Sequence, residues 1–356
     1  MIKSEDISVV VQGAIDKVNT PKCLKSIRKV LPRAEIVLST WEKSDVNGLD
    51  YDILVLNKDP GGVKHDFAVY NLNCSMNNLN RQILSTQNGI KKAHKKYILK
   101  LRSDLILENK KFLNFWNLFP VRNKKYAVFH HRLVCSTIYS REYSCQSGNG
   151  FPTPFHPSDF WFFGEKKDII DYFAKCPLQT KEEAGNWMYK YPNRLPYKTC
   201  LWRYAPEQHF CFHWIKKYYP NVCFEDWSDW NEENIELSNN VLYNNFIFLN
   251  SSQSGIYSEK HSYADSIQNY IQGLITNEHF QQQYKKFCDP KYVIKKQEKK
   301  TEEKAVWEEL LLRLKKHVHK FLKPFKSFLH WLSEPLSVLY YAFKVILKRG
   351  GKYESR

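Results

Sequence analysis

Short apolar runs alternate with amphipathic stretches through the first third of the chain. Ile7 to Val11 is a continuous run rich in β-branched residues, closed by Gln12-Gly13, the pattern of a buried parallel strand followed by a turn. Thr20-Pro21 then offers an N-cap and a first-turn proline. Leu24, Ile27 and Val30 share one face of the helix that runs to Leu31. Ala34 to Thr40 and Tyr51 to Leu56 read as the next strands, ending in Ser39-Thr40-Trp41 and in Asn57-Lys58-Asp59-Pro60-Gly61-Gly62. Leu79, Ile83, Ile90 and Ala93 recur near the helical period, so a helix over about 75 to 95 leads into a strand over Tyr97 to Leu101. That strand ends in Arg102-Ser103-Asp104, and Leu105 to Leu107 follows. Such alternation predicts an α/β fold with a mostly parallel sheet flanked by helices. Its polar strand tips should share one rim, where a nucleotide could bind.

The second half is less regular and richer in aromatics. Tyr126 to Phe129 reads as a strand, and Asp159 to Phe163 as another. The latter is reached through a loop, Gly148 to Ser158, dense in Gly and Pro that could wall a substrate. Helices are predicted from Glu165 to Phe173 and from Pro206 to about Tyr219, with a late strand over Phe246 to Leu249.

Beyond residue 290 the composition changes. Residues 290–304 are a charged linker. From Trp307, apolar positions such as Leu310, Leu314, Val318, Phe321, Phe325 and Phe328 recur at three and four, with lysines over much of the other surface. This describes a basic amphipathic helical tail over 305–356, divided by Pro324 and Pro335. The expected organisation is one large α/β domain over 1–289, in two halves (1–107 and 108–289), then linker and tail.

Charge sharpens that division. The formal net charge is +17, and residues 291–356 carry 17 Lys or Arg against 7 Asp or Glu, so most of the excess sits in the tail. A basic helix that also presents Leu, Phe and Trp suits an anionic membrane surface, where each Lys or Arg contributes about 1 kcal/mol. The nine cysteines are scattered with no C-x-x-C pair, the usage of reduced thiols in a cytosolic setting. Cys200, Cys211, His213 and Cys223 cluster in sequence at spacings that match no standard zinc pattern. The N-terminus carries no signal-peptide pattern and no run of about twenty apolar residues occurs. The expectation is therefore a cytoplasmic protein, peripheral on the inner face of the cytoplasmic membrane.

The candidate chemistry gathers at the strand tips. A carboxylate such as Asp104 at the carboxyl end of a parallel strand is placed to hold a divalent cation bound to phosphate, and Asp also caps helices and starts turns. The order Gln12-Gly13, Ser39-Thr40-Trp41, Asp59-Pro-Gly-Gly and Arg102-Ser103-Asp104 resembles the nucleotide-binding half of a GT-A glycosyltransferase. The combination V-V-Q-G, A-E-I-V-L-S-T-W, N-K-D-P-G, N-x-N-R-Q-I-x-S-T and L-K-x-R-S-D is similar to the WavE-type lipopolysaccharide synthesis family. The match is good over residues 7 to 107 and looser beyond.

The resemblance implies a GT-A-like catalytic domain over 1–289, with a nucleotide-binding half (1–107) and an acceptor half (108–289), that moves a sugar from a nucleotide-sugar donor to a lipopolysaccharide core or related lipid-linked glycan acceptor by a single inverting displacement. Asp104 then falls on the last position of the D-x-D element that holds Mn²⁺ or Mg²⁺ against the donor diphosphate. Its first position is Arg102 here, so a single carboxylate remains and Arg102 could serve as a phosphate cation.

An inverting transfer needs a base near the acceptor hydroxyl and groups that stabilise the departing diphosphate. Glu207, in Pro206-Glu-Gln-His-Phe210, is similar to the E-D-x-x-F-like segment of inverting GT-A enzymes and is the first candidate for the base. Its plainer reading is a first-turn acid that complements the helix dipole. Asp159 competes for the role. Gln12, Gly13, Thr40, Asp59, Asn80, Arg81, Arg102 and Ser103 are the candidates for donor binding. Arg81 could reach the phosphate or ribose, or pair with Asp104; Asp59 could touch the nucleoside, or shape the turn before Pro60. His209 and His213 lie four apart without the Glu of H-E-x-x-H, which favours a packed helix surface.

Two rival classes remain at this point. A nucleic-acid-binding protein would use the basic charge and the 15% aromatic residues. An enzyme of sugar-nucleotide synthesis would share the α/β half, but the glycine-rich, arginine-bearing loop after the first strand is missing. The G-x-G-x-x-G, G-x-x-x-x-G-K-[ST] and G-x-S-x-G patterns are absent as well, against a Rossmann oxidoreductase, a P-loop NTPase and an α/β hydrolase.

Overall fold

The computed structural model describes residues 2–64, 76–146, 149–191, 201–259 and 273–294. The tail over 305–356, most of the charged linker and Cys200 lie outside the described residues. Residues 1–297 form one compact unit.

Its centre is a seven-stranded sheet built from β1 (Ile7–Gln12), β2 (Glu35–Trp41), β3 (Ile53–Asn57), β4 (Tyr97–Arg102), β5 (Leu133–Ser136), β6 (Trp161–Glu165) and β7 (Phe246–Leu249), in the spatial order β7-β5-β6-β4-β1-β2-β3. Only β6 runs against its neighbours, β4 and β5; the other pairings are parallel. The mostly parallel α/β sheet is the one the sequence predicts. β1 is buried along its whole length, which is why it reads as an unbroken apolar run.

Helices α1 (Asn19–Val30), α2 (Leu79–Lys92), α3 (Lys166–Phe173), α4 (Pro206–Ile215), α5 (Glu232–Asn245) and α6 (Asn277–Phe287) flank the sheet. α2 lies across β1, β2 and β3, buried through Leu79, Ile83 and Ile90. Gly89 permits the close approach, since a Cβ there would come within 2.6 Å of Val10 Cγ1. α1 starts at Asn19, just before the predicted cap, because Asp16 Oδ1 accepts the N–H groups of Val18 and Asn19.

One predicted strand is not formed. Val128 and Phe129 donate their N–H groups to Asn245 Oδ1 at 2.8 and 3.0 Å, so this segment satisfies its backbone on a side chain at the end of α5. The apolar side chain of Phe129 instead stacks on Trp214 at 4.3 Å between ring centroids, and the strand forms a few residues later as β5. The helix predicted to about Tyr219 ends at Ile215. Among the described residues, no helix is long and apolar enough to cross a membrane.

Candidate functional site at the carboxyl edge of the sheet

Strand register brings the polar tips together. Gln12 is opposite both Ser39 and Arg102, and Trp41 is opposite Asn57, so β1 to β4 end on one rim. The chain winds outward from β1 to β3 and then crosses back to place β4 on the other side of β1. This makes the β1/β4 boundary the switch point, where strand order reverses and where ligands of open α/β sheets bind.

A cleft of about 690 Å³ opens there. Gln12, Gly13, Asp16, Trp41, Asp59, Asn78, Arg81, Gln82, Arg102, Ser103, Asp104, Asp159 and Pro206 are among the residues that line it. Of the candidates for donor binding and metal, Gln12, Gly13, Asp59, Arg81, Arg102, Ser103 and Asp104 therefore meet in one hollow, together with Asp159. Thr40 and Asn80 do not line it. Thr40 Oγ1 is 3.0 Å from Ser44 Oγ. Asn80 clamps the backbone of Gln179 from both sides, at 2.9 Å through its amide nitrogen and 2.8 Å through its oxygen.

The floor is rigid. Gln12 Oε1 accepts a 2.8 Å hydrogen bond from Ser85 Oγ on α2, and Ser103 Oγ donates to the Ala14 carbonyl at 2.7 Å. Gly13 sits at φ +125°, and a Cβ added to it would approach Ser103 Oγ to 3.1 Å. Only glycine lets β1 turn here against the tip of β4.

Two arginine–carboxylate pairs form the charged walls. Arg81 pairs with Asp59, not with Asp104, through two hydrogen bonds of 2.7 Å, and donates a third of 2.7 Å to Asn78. Asp59 Oδ1 also accepts the Gly61 N–H, the turn-forming role, while the residue lines the cleft. The Arg81 guanidinium depresses the Asp59 carboxyl below its usual range. Arg102 holds Asp104 in the same forked manner, at 3.0 and 2.7 Å, and its guanidinium lies 4.2 Å from the centre of the Phe160 ring.

This geometry bears on the divalent cation. Both oxygens of Asp104 are engaged by Arg102, and among the described residues no three ligating side chains of the cleft converge on one point. The cleft holds no preformed cation cage among the described residues; Asp104 keeps lone pairs beyond its two bonds to Arg102 and would hold a cation only together with the donor phosphates.

Glu207 stands one residue beyond the cleft-lining Pro206, in the first turn of α4. Burial pushes its carboxyl up to about 8, and the charge of Asp159 acts in the same direction. His156 Nε2 is 3.8 Å from its carboxylate, and burial lowers that imidazole to about 3, so it is neutral. Asp159 is held through its backbone: Lys100 Nζ and Gln82 Nε2 both donate to its carbonyl.

Sequence reasoning passed over Lys100, Asp16 and His156. Lys100 carried a signal, a lone cation inside an apolar strand. His209 and His213 pack ring to ring at 4.4 Å, with His209 Nε2 bonded to the Pro177 carbonyl, the packed-surface reading of their spacing.

No curated protein matches the chain. A protein-family comparison does match, over residues 7–319, and it extends the resemblance seen at the strand tips to nearly the whole sequence. The chain belongs to the WavE lipopolysaccharide synthesis family.

Proposed function

We propose that this protein is a glycosyltransferase that moves a sugar from a nucleotide-sugar donor onto a lipopolysaccharide core or related lipid-linked glycan. The observation that carries the reading is the single cleft at the switch point, in which Gln12, Gly13, Asp59, Arg81, Arg102, Ser103 and Asp104 face one volume large enough for a nucleoside diphosphate. Membership of a lipopolysaccharide synthesis family supports an acceptor of this class.

The residues divide the work by their chemistry. Arg81 and Arg102 are fixed cations at the cleft wall, suited to a diphosphate and to the charge that grows on it as the glycosidic bond breaks. Gln12 and Ser103 offer polar groups at the floor beside the Gly13 backbone, where a phosphate can approach closely. Glu207 takes the acceptor proton once it is ionised, and Asp159 is the neighbouring carboxylate that raises its basicity. Inversion at the anomeric carbon follows from one displacement with one base. The basic amphipathic tail would hold the enzyme at an anionic membrane surface, near a lipid-linked acceptor. No step in this account needs a divalent cation.

Calorimetric titration with nucleoside diphosphates and nucleotide sugars tests the reading. One nucleoside diphosphate should bind at a single site and protect the protein against heat, and duplex DNA should do neither. Equal stabilisation by duplex DNA would favour the nucleic-acid reading, and failure of every diphosphate would end the transferase one.

A further inference from the structure

We propose that the opposite rim of the sheet carries a zinc site built from His130, His131, Glu165 and Asp168. It is separate from the donor cleft. Glu165 pairs with Tyr97, the first residue of β4, and Arg102 is the last, so the two sites are about 16 Å apart along that strand.

The ligating atoms of the four side chains lie within 4.8 Å of one another. Glu165 occupies the N-cap position of α3, yet its carboxylate caps nothing there. It turns instead toward the two histidines, 3.2 Å from His130 Nδ1 and 3.5 Å from His131 Nδ1. Two imidazoles that present the same nitrogen to one carboxylate must both carry a proton there or share a cation with it. His131 Nδ1 is buried and makes no hydrogen bond, so in the tautomer protonated at Nε2 it offers an unused lone pair beside the Glu165 carboxylate.

The supports are in place as well. Asp168 accepts the backbone N–H groups of His130 and His131 at 2.9 Å each, fixing the dihistidine segment, and each of its oxygens keeps a further lone pair. Trp116 stacks on His131 at 5.4 Å and sets the plane of its ring. Two imidazoles with two carboxylates select a borderline ion such as zinc over magnesium or calcium, which take oxygen ligands. Ligands at zinc distances would stand about 3.3 Å apart, so the side chains need only draw inward from their present spread. Lys167, 3.2 Å from Glu165, is the competing cation and is half exposed, free to swing away.

The test uses the full chain stripped with chelator and reloaded with Zn²⁺ alone, with Co²⁺ as the spectroscopic probe. One equivalent of Zn²⁺ should bind and raise the melting temperature where Mg²⁺ does not. Co²⁺ should give the visible bands of a four-coordinate nitrogen and oxygen site, and the double variant H130A/H131A should lose that equivalent. Lys167→Ala, which keeps all four ligands, should bind Zn²⁺ more tightly, and this arm stands even if the double variant fails to fold. A Co²⁺ spectrum dominated by thiolate charge transfer, or uptake unchanged in a folded H130A/H131A, would overturn the proposal.

Discussion

Arg81 and Asp59 grip each other through two parallel hydrogen bonds of 2.7 Å, tying the first turn of α2 to the loop after β3 at the mouth of the cleft. Both are partly exposed, so the pair contributes about 1 kcal/mol or less to stability. Its value lies in holding a planar cation where a diphosphate would arrive. Arg81→Ala should therefore lower the melting temperature only slightly while weakening nucleoside diphosphate binding about tenfold or more, a charged hydrogen bond being worth about 1.5–3 kcal/mol. Arg81→Lys should recover only part of the loss, since an ammonium cannot make the forked contact. Unchanged affinity in Arg81→Ala, measured by calorimetry, would remove this residue from the donor site.

Arg102 engages both oxygens of Asp104, and under the proposed reading the diphosphate would meet this guanidinium where related sequence patterns supply a metal. Donor binding should then survive exhaustive chelation and gain little from Mn²⁺. Arg102→Ala should cost about a hundredfold in kcat, the scale of losing one charge-stabilising donor. If Mn²⁺ proves essential for donor binding and Asp104→Ala abolishes its effect, Asp104 is a metal ligand and the arginine account is wrong.

Much of this arrangement was legible in the chain. The strand tips could be read because parallel strands buried on both faces leave long apolar runs, and polar residues at their ends can only mark the rim. Register aligns Gln12 with Arg102, and Asp59 and Asp104, each two residues past a strand end, reach the same hollow. The partner of Arg81 could not be read, since it depends on how the loop after β3 folds back over the rim, and the bond of Arg102 to its near neighbour Asp104 depends on the turn after β4. Tyr126 to Phe129 misled for a similar reason. Its apolar run suits a strand, but the distant Asn245 satisfies its backbone, a contact no local pattern encodes.

Glu207 ties activity to pH. Its carboxyl is held up at about 8, against an ordinary 4.5, chiefly by burial. The folded protein therefore keeps a proton that the unfolded chain releases, and stability from this group, full below pH 4.5, is lost as pH rises toward 8. Glu207→Gln should flatten that decline, with thermal melts of the two proteins diverging between pH 5 and 8. As the base, Glu207 must be ionised to act, so transfer should rise with pH through the same range. The Gln variant should lose about 10²- to 10⁴-fold in kcat together with that limb of the profile. A folded Gln variant with normal turnover would return the role to Asp159.

Lys100 is the cation the fold tolerates at a cost. It is fully buried in β4, and desolvation pulls its ammonium down from 10.5 to about 7. The unfolded chain holds that proton up to about 10.5, whereas the folded one releases it near 7, so stability rises with pH across that interval and is lowest below it. Lys100→Met fills similar volume without a charge. It should be more stable than the wild type at pH 6 by on the order of a few kcal/mol, with the gap closing toward pH 10. The Asp159 carbonyl keeps its 3.1 Å hydrogen bond from Gln82 in that variant, so no buried acceptor is stranded. Diphosphate affinity should change little, while kcat should fall if Lys100 is what aims Asp159 at Glu207. Chemical denaturation of both proteins from pH 6 to 10 decides the stability part: parallel curves would mean that Lys100 stays protonated and solvated in the folded state.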